Sequence, residues 1–224
     1  MNIPENWLYP LSTGEKIAAQ IRLNIINGDY SEKTVLTENQ IAKQFEVSRS
    51  PVRDAFKNLN QEGLIQLERM GAEVKAFDKE KQQELTDIRL MIESFAFTKV
   101  IQHEDIEWLI SKMYQTLEMM KVCIQFNDAT GFSEHDLLFH EHLVFACHHE
   151  ALLNLWTSIR EKLLCVIYIG MSTRMTSDKA DFERIVHNHQ LYIEAIQKRN
   201  KTLMYEAFKV NFNDLNDDIG AFWR

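Results

Sequence analysis

Residues 78–224 of this 224-residue chain carry apolar side chains at the three- to four-residue spacing of an α-helix almost throughout. Glycine and proline number only seven and three in the whole sequence, so few positions force a helix to stop. The spacing therefore predicts an all-helical region without a second sheet. Its expected helices lie near residues 79–102, 104–126, 131–148, 150–173, 181–198 and 201–219.

The first 77 residues show a mixed pattern instead. Apolar spacing predicts three short helices, the second opened by the capping-box pair Thr37 and Gln40 and the third capped by Ser48. Gly63 is typical of the end of that third helix. Two short strands joined by a tight turn are predicted over residues 64–76.

This order of elements predicts a mainly α protein with two domains. Residues 1–77 would form a winged helix-turn-helix whose wing is the small β-hairpin, and residues 78–224 an all-α helical bundle. The second helix of a helix-turn-helix motif enters the major groove of DNA. Two such domains usually pair so that their symmetry matches a palindromic site, so we expect a homodimer.

The predicted recognition helix carries Arg49 and Arg53 four residues apart, on one face and away from the apolar stripe. Arginine can grip guanine O6 and N7, or a phosphate, with two hydrogen bonds. Ser48, Ser50 and the amides at the helix N-terminus suit phosphate oxygens. On an isolated helix the two arginines would be an ordinary solvated surface; here their place in the motif favours DNA binding.

The formal net charge of −8 lies almost wholly in the second region. Residues 1–77 carry nine Lys and Arg against ten Asp and Glu, whereas residues 78–224 carry sixteen against twenty-three. The first region thus lacks the basic surplus typical of a nucleic-acid-binding domain. Binding to double-stranded operator DNA must depend on where a few arginines lie, and salt should weaken it steeply.

The run S-R-S-P-V-R-D-A-F, followed by L-N-Q-E-G-L, resembles the signature of the GntR family of bacterial transcription regulators, S-R-x-P-V-R-x-A-L followed by L-x-x-x-G-L. The resemblance implies that Arg49 and Arg53 contact bases and phosphates. By the same resemblance Thr37 and Ser50 contact the DNA backbone, and Gly71 lies at the wing tip.

Two positions depart from the family pattern, which otherwise covers most of residues 12–76. Asn39 stands where an arginine is frequent, which removes one family contact to DNA. Glu46 stands where glycine is usual, which predicts an altered turn between the second and third helices.

Asp136 and His140 lie four residues apart, so both would project from one helical face, as a two-ligand metal clamp requires. The spacing is also typical of a surface pair, and His189 alone of a core histidine bonded to a carbonyl. The region resembles the FCD branch of the GntR family, in which D-x-x-x-H and two later histidines hold a divalent metal. That resemblance implies a Zn, Ni or Mn site at Asp136, His140 and His189, with Asn211 in place of the last histidine.

A metal with an open position can bind a sugar acid through its carboxylate and a neighbouring hydroxyl. The FCD resemblance implies that residues 78–224 are an all-α sensor domain for effector binding and dimerisation. We therefore expect the effector, a small acid that regulates DNA binding, at these ligands and beside Arg89, whose R-x-x-x-E spacing to Glu93 resembles a helix of the family. An ordinary ion pair between Arg89 and Glu93 is the alternative. Arg160 and Arg174 are further candidate partners for a carboxylate.

Several short segments resemble family members that control gluconate utilisation: L-E-R-M-G-A, L-E-M-M-K-V, L-F-H-E and N-F-N-D-L. The resemblance implies that gluconate, or a phosphorylated or oxidised hexonate, binds the second domain and releases DNA. Lactate, another hydroxy acid or an acyl group remain alternative ligands.

Other function classes are less well supported. An enzyme using the histidine-rich stretch 135–149 would be a metal-dependent hydrolase or a helical-bundle oxidase, yet H-E-x-x-H, di-iron and phosphate-loop spacings are missing. No apolar run approaches the roughly 18 residues of a membrane span, and no signal-peptide pattern is present, so we expect a cytoplasmic protein. Reduced core thiols are expected at Cys123, Cys147 and Cys165.

Overall fold

The computed structural model describes residues 1–177 and 181–212, which divide into two compact units, residues 1–82 and residues 83 onward. The domain boundary expected at residues 77 and 78 stays a prediction, since the units divide within the first turn of a helix that begins at Lys79. The first unit opens with a 3-10 turn, Glu5–Leu8. Its other elements are α1 Thr13–Ile26, β1 Val35–Leu36, α2 Glu38–Gln44, α3 Arg49–Gln61, β2 Ile65–Glu68 and β3 Gly71–Val74.

The three helices of the first unit form where their caps and apolar faces predict them. The Thr37 hydroxyl accepts a hydrogen bond from the Gln40 backbone N–H, and the Gln40 side-chain oxygen accepts one from the Thr37 backbone N–H, so the expected capping box is present. Ser48 occupies the N-cap position of α3, but its side chain makes no capping hydrogen bond, contrary to expectation. Gly63 follows α3 with φ +77°, a left-handed conformation typical of a helix C-terminus.

One buried core joins these helices to the sheet. Ile17 and Ile21 of α1 and Val52 and Leu59 of α3 pack together with Ile65 of β2. Full burial of such a side chain contributes about 1.5–3 kcal/mol. The core therefore fixes α3 with its polar face outward.

The wing is a three-stranded antiparallel sheet in the order β1-β3-β2. The expected hairpin is present as β2 and β3, but the sequence pattern missed β1, whose two residues pair with Glu73 and Ala72. Gly71 opens β3 at φ +152°, and a Cβ there would lie 2.4 Å from the Leu36 carbonyl oxygen. Close packing against β1 thus requires this glycine, and the tip of the wing is Arg69 and Met70.

Glu46, at the position where the family usually has glycine, lies in the turn between α2 and α3, and the altered turn expected there stays a prediction. Glu46 has φ +54°, a left-handed conformation that glycine adopts freely and other residues rarely. The glutamate therefore keeps a glycine-like backbone at this position.

The second unit consists of helices in the part of the chain that the structure describes. The helix over residues 129–146 packs against the helices that precede and follow it in the chain. The helix over residues 181–197 packs against the helix over residues 201–212. Cys123, Cys147 and Cys165 are buried free thiols, as expected. Across residues 1–177 and 181–212, we find no helix with the length and apolarity to span a membrane. The helices are α4 Lys79–Val100, α5 Glu107–Phe126, α6 Ala129–Ala146, α7 Glu150–Ser177, α8 Asp181–Gln197 and α9 Lys201–Phe212.

The predicted mainly α class, with a small β wing and an all-helical second region, is confirmed. The expected segments agree with α4 to α8 within a few residues. The end of the expected 201–219 helix lies outside the described residues.

Candidate functional site

The outer face of α3 presents the two arginines that the sequence singled out. Arg49 is the first residue of α3 and Arg53 lies one turn later, with side chains 54% and 55% exposed. Ser48 and Ser50 are exposed beside them at the helix N-terminus. The face that the sequence assigned to DNA is therefore open to solvent.

A single carboxylate joins the two arginines. Glu38, the first residue of α2, accepts hydrogen bonds from Arg49 Nε at 2.8 Å and from Arg53 Nε at 2.9 Å. The hydrogen bonds from Arg53 and Arg49 lower the pKa of the Glu38 carboxyl, so this group is ionised at neutral pH. Sequence reasoning missed Glu38, because the two pairs join residues 11 and 15 positions apart.

A cleft of about 540 Å³ lies between the recognition helix and the wing. Four cationic and two anionic side chains line it, so it is the basic part of this unit even though residues 1–77 are near charge balance. Thr37, Asn39 and Gly71 also lie along it. The charged lining residues are Arg49, Arg53, Lys57, Arg69, Glu38 and Glu68.

In the second unit, α6 and α8 bring together the three predicted metal ligands. Asp136, His140 and His189 are all buried, and one ligating atom of each lies within 4.8 Å of the others. His189 Nε2 lies 3.2 Å from Asp136 Oδ1. Asp136 and His140 project from the same face of α6, as their spacing predicts, and α8 supplies the third ligand.

Both histidines are held by the ring nitrogen that faces away from the cluster. His140 Nδ1 lies 2.8 Å from Glu93 Oε2, and His189 Nδ1 lies 2.8 Å from the Ile185 carbonyl oxygen. Because a carbonyl or a carboxylate can only accept, each Nδ1 donates and each neutral imidazole has its lone pair on Nε2. His140 Nε2 is buried without a hydrogen-bond partner, and the buried His189 Nε2 faces Asp136 Oδ1 at 3.2 Å. This arrangement fits a divalent metal, whose histidine ligands typically have their other nitrogen fixed in this way.

The charges of the cluster favour ligand binding at neutral pH. Burial raises the pKa of the Asp136 carboxyl, but the hydrogen bond to His189 and the charge interactions with His189, His140 and Arg89 outweigh burial and lower it to about 2. Burial lowers the pKa of His140, despite the nearby Glu93, and so favours the neutral imidazole. An ionised carboxylate and neutral imidazoles are the forms that bind metal.

Arg89 lies beside this cluster, buried on α4. Its Nε donates to Glu93 Oε1 at 2.6 Å, so the ion pair named as an alternative is present. Its Nη2 atom is nevertheless buried without a hydrogen-bond partner, as is the hydroxyl of Tyr192. Burial and the nearby Glu93 raise the pKa of the Tyr192 phenol well above its ordinary value, so the hydroxyl stays a donor. Two buried donors therefore accompany the Nε2 atoms of His140 and His189.

The other two candidate arginines pair with acids outside this arrangement. Arg160 pairs with Glu141 and Glu161, and Arg174 lies 3.4 Å from Asp181. Asn211 is half-buried on α9. Tyr192 was missed as a site residue; its signal was its position three residues after His189, which places both side chains on one face of α8.

Comparison with known proteins covers both regions of the chain. Residues 13–73 match bacterial regulatory proteins of the gntR family, and residues 84–213 match the FCD domain. The chain is 40% identical over 220 residues to the gluconate operon transcriptional repressor of Bacillus subtilis, covering 98% of this chain and 90% of that protein. The protein of that name from Bacillus licheniformis is 39% identical with the same coverage.

Two solved structures share the fold at low sequence identity. McbR/YncC of E. coli superposes with a TM-score of 0.66 at 17% identity, over 92% of this chain and 98% of that one. A GntR regulator from Rhodococcus gives a TM-score of 0.61 at 22% identity, over 95% and 98%. The chain thus belongs to the GntR family of bacterial transcription regulators, with an FCD domain as its second region.

Proposed function

We propose that this protein is a cytoplasmic, homodimeric repressor of a gluconate-utilisation operon, and that gluconate or a related sugar acid releases it from DNA. The 40% identity to the Bacillus subtilis gluconate operon repressor, over nearly the whole chain, carries the assignment of the operon. It also favours a regulator over a metal-dependent enzyme.

On the DNA side, the proposal assigns Arg49 and Arg53 to base edges and phosphates. Both are exposed on the outer face of α3, where arginine forks can reach guanine in the major groove. Thr37, Ser48 and Ser50 suit phosphate contacts around them. Gly71 keeps its place in the wing for packing, so Arg69 is the better candidate for a contact made by the wing tip.

On the effector side, the proposal rests on polar atoms that lack partners inside a packed domain. A buried donor without an acceptor costs about 1–3 kcal/mol, and here Arg89 Nη2 and the Tyr192 hydroxyl lie in one cluster with the free Nε2 of His140. A sugar acid supplies what these groups lack: a carboxylate for the guanidinium and hydroxyl oxygens for the phenol.

Asp136, His140 and His189 would hold a divalent Zn, Ni or Mn, with Asn211 as a weaker fourth ligand. The metal would supply a positive charge and open coordination positions for the oxygens of the acid. Arg89 would orient the carboxylate while Glu93 holds both Arg89 and His140 in place.

Repression and release then require the acid to prefer the conformation that binds DNA poorly. A coupling of about 1–3 kcal/mol between the two sites changes DNA affinity about 5- to 150-fold.

The test is to incubate the purified protein with sheared host DNA, with and without gluconate, and to sequence the retained fragments. We expect discrete fragments next to gluconate-utilisation genes, lost when gluconate is added. Discrete fragments that persist in gluconate would support the assignment as a repressor and exclude gluconate as its ligand. Repeating the experiment with lactate then tests the alternative ligand. No enrichment at all would contradict the proposed function.

A further inference from the structure

Glu38 divides its two carboxylate oxygens between the two arginines of the recognition helix. Oε2 accepts from Arg49, with Nε at 2.8 Å and Nη2 at 2.7 Å, whereas Oε1 accepts from Arg53 Nε at 2.9 Å. The Glu38 side chain is 26% exposed, about half as much as either arginine. One anion thus sets the direction of both guanidinium groups.

The backbone that carries this carboxylate is itself fixed. Glu38 is the first residue of α2, directly after Thr37, whose capping box with Gln40 satisfies the helix N-terminus. Buried Ile41 holds the same helix on the core. The anchor for the arginines therefore lies on a helix that is capped at its N-terminus and packed on the core.

The negative charge of a carboxylate at this position weakens binding to DNA of any sequence. It lies in the cleft beside four cationic side chains, where it reduces their attraction for phosphates. The chain as a whole carries a charge of −8, so no surplus elsewhere offsets that loss. What the carboxylate offers in return is orientation, because two-pronged recognition of guanine depends on how the planar arginine fork is held.

We propose that Glu38 is a specificity-determining positioning residue, which orients Arg49 and Arg53 for base edges and lowers their affinity for DNA of any sequence. The inference rests on the proposed role of α3 as the DNA-reading helix. A carboxylate can also accept a hydrogen bond from cytosine N4, and direct reading of one base is the competing explanation.

Two variants separate orientation from charge. Glu38→Asp keeps the charge and suits a helix N-terminus, but its carboxylate is one methylene shorter and no longer reaches both arginines. Glu38→Gln keeps the length and removes the charge. The matched control is Glu68→Gln, which removes the same charge from the same cleft at a residue that contacts Gln66.

The preferred duplex is first selected from a random library with the full-length wild-type protein. Affinities for this duplex and for a random-sequence duplex are then measured at several salt concentrations. We expect Glu38→Asp to lose about tenfold for the preferred duplex, the size of one good base contact, with little change for random DNA. Glu38→Gln should lose preferred-site affinity as well, while its random-DNA affinity rises as much as that of Glu68→Gln.

Point substitutions in the preferred duplex identify what was lost. Weaker discrimination at the base pairs that Arg49→Ala and Arg53→Ala also affect supports the positioning role. A loss confined to one base pair that neither arginine variant affects would overturn it in favour of direct reading. Equal changes for both duplexes in all three variants would reduce Glu38 to a charge effect and likewise overturn it. A wild-type protein that selects no sequence would overturn the proposed function, and this inference with it.

Discussion

Both units of this protein tie arginine to glutamate, but in opposite environments. Glu38 holds Arg49 and Arg53 on an exposed face, whereas Glu93 holds Arg89 in a site where Glu93 is fully buried. Exposed pairs contribute little to stability and can exchange partners cheaply, while a buried charge that loses its partner is strongly destabilising. The same chemistry thus orients side chains on a surface that stays open to DNA and holds the shape of a buried pocket.

Removing the buried anion should have the largest effect. Glu93→Gln leaves the buried Arg89 without its main counter-charge and His140 without an anionic acceptor, so we expect a loss of about 3–5 kcal/mol in the free energy of unfolding. Urea unfolding followed by circular dichroism measures it. Glu38→Gln is the control and should leave unfolding nearly unchanged; equal losses in the two variants would erase the contrast between the sites.

His140→Ala should abolish metal retention, lowering affinity more than about 100-fold, since even residues that only support a ligand are worth 10- to 100-fold. Equilibrium dialysis with Zn, Ni and Mn, followed by elemental analysis, measures it. His142→Ala is the control, because His142 bonds to Thr116 outside the cluster. Wild-type protein that retains none of these metals would exclude the metal site.

Arg53→Ala should weaken binding to the preferred duplex by about 1–3 kcal/mol per half-site and leave effector binding intact. Electrophoretic mobility shifts and calorimetry with gluconate measure the two properties. Lys43→Ala removes a cation from α2, outside the residues that line the cleft, and serves as the control. Operator affinity unchanged by Arg53→Ala would contradict the proposed docking of α3.

Asn211→His should give the smallest change, a rise of about tenfold in affinity for Zn or Ni, because imidazole is a better ligand for these metals than an amide oxygen. Lys209→His places an imidazole on the exposed side of α9 and should have no effect. The same dialysis measures both. If both variants raise affinity equally, the added histidine acts on the surface and position 211 is not a ligand position.

Local features of the chain were predictable from sequence, and long-range ones were not. The capping box at Thr37 and the shared face of Arg49 and Arg53 follow from spacing within one helix, and the structure has both. The contact between Glu93 and His140 spans 47 residues, and only the fold brings them together. Spacing alone predicts that Asp136 and His140 share a face; the third ligand came from family resemblance.

The wing is a second place where the sequence pattern did not predict a long-range contact. A strand of two residues carries no periodic signal, so β1 was missed. Once β1 is in place, its Leu36 carbonyl explains Gly71, which sequence reasoning had assigned to DNA. Packing thus gives Gly71 a structural reason that the sequence pattern did not reveal, while its contact with DNA stays a prediction.

The central claim is that a ligand bound at the buried cluster of Asp136, His140 and His189 controls DNA binding by α3. It is tested most directly by measuring affinity for the preferred duplex with and without gluconate, in the wild-type protein and in His140→Ala. The account predicts that gluconate weakens wild-type binding about 5- to 150-fold and leaves His140→Ala unaffected, with equal affinities in the absence of gluconate. An equal response in both proteins, or none in the wild type, would contradict it.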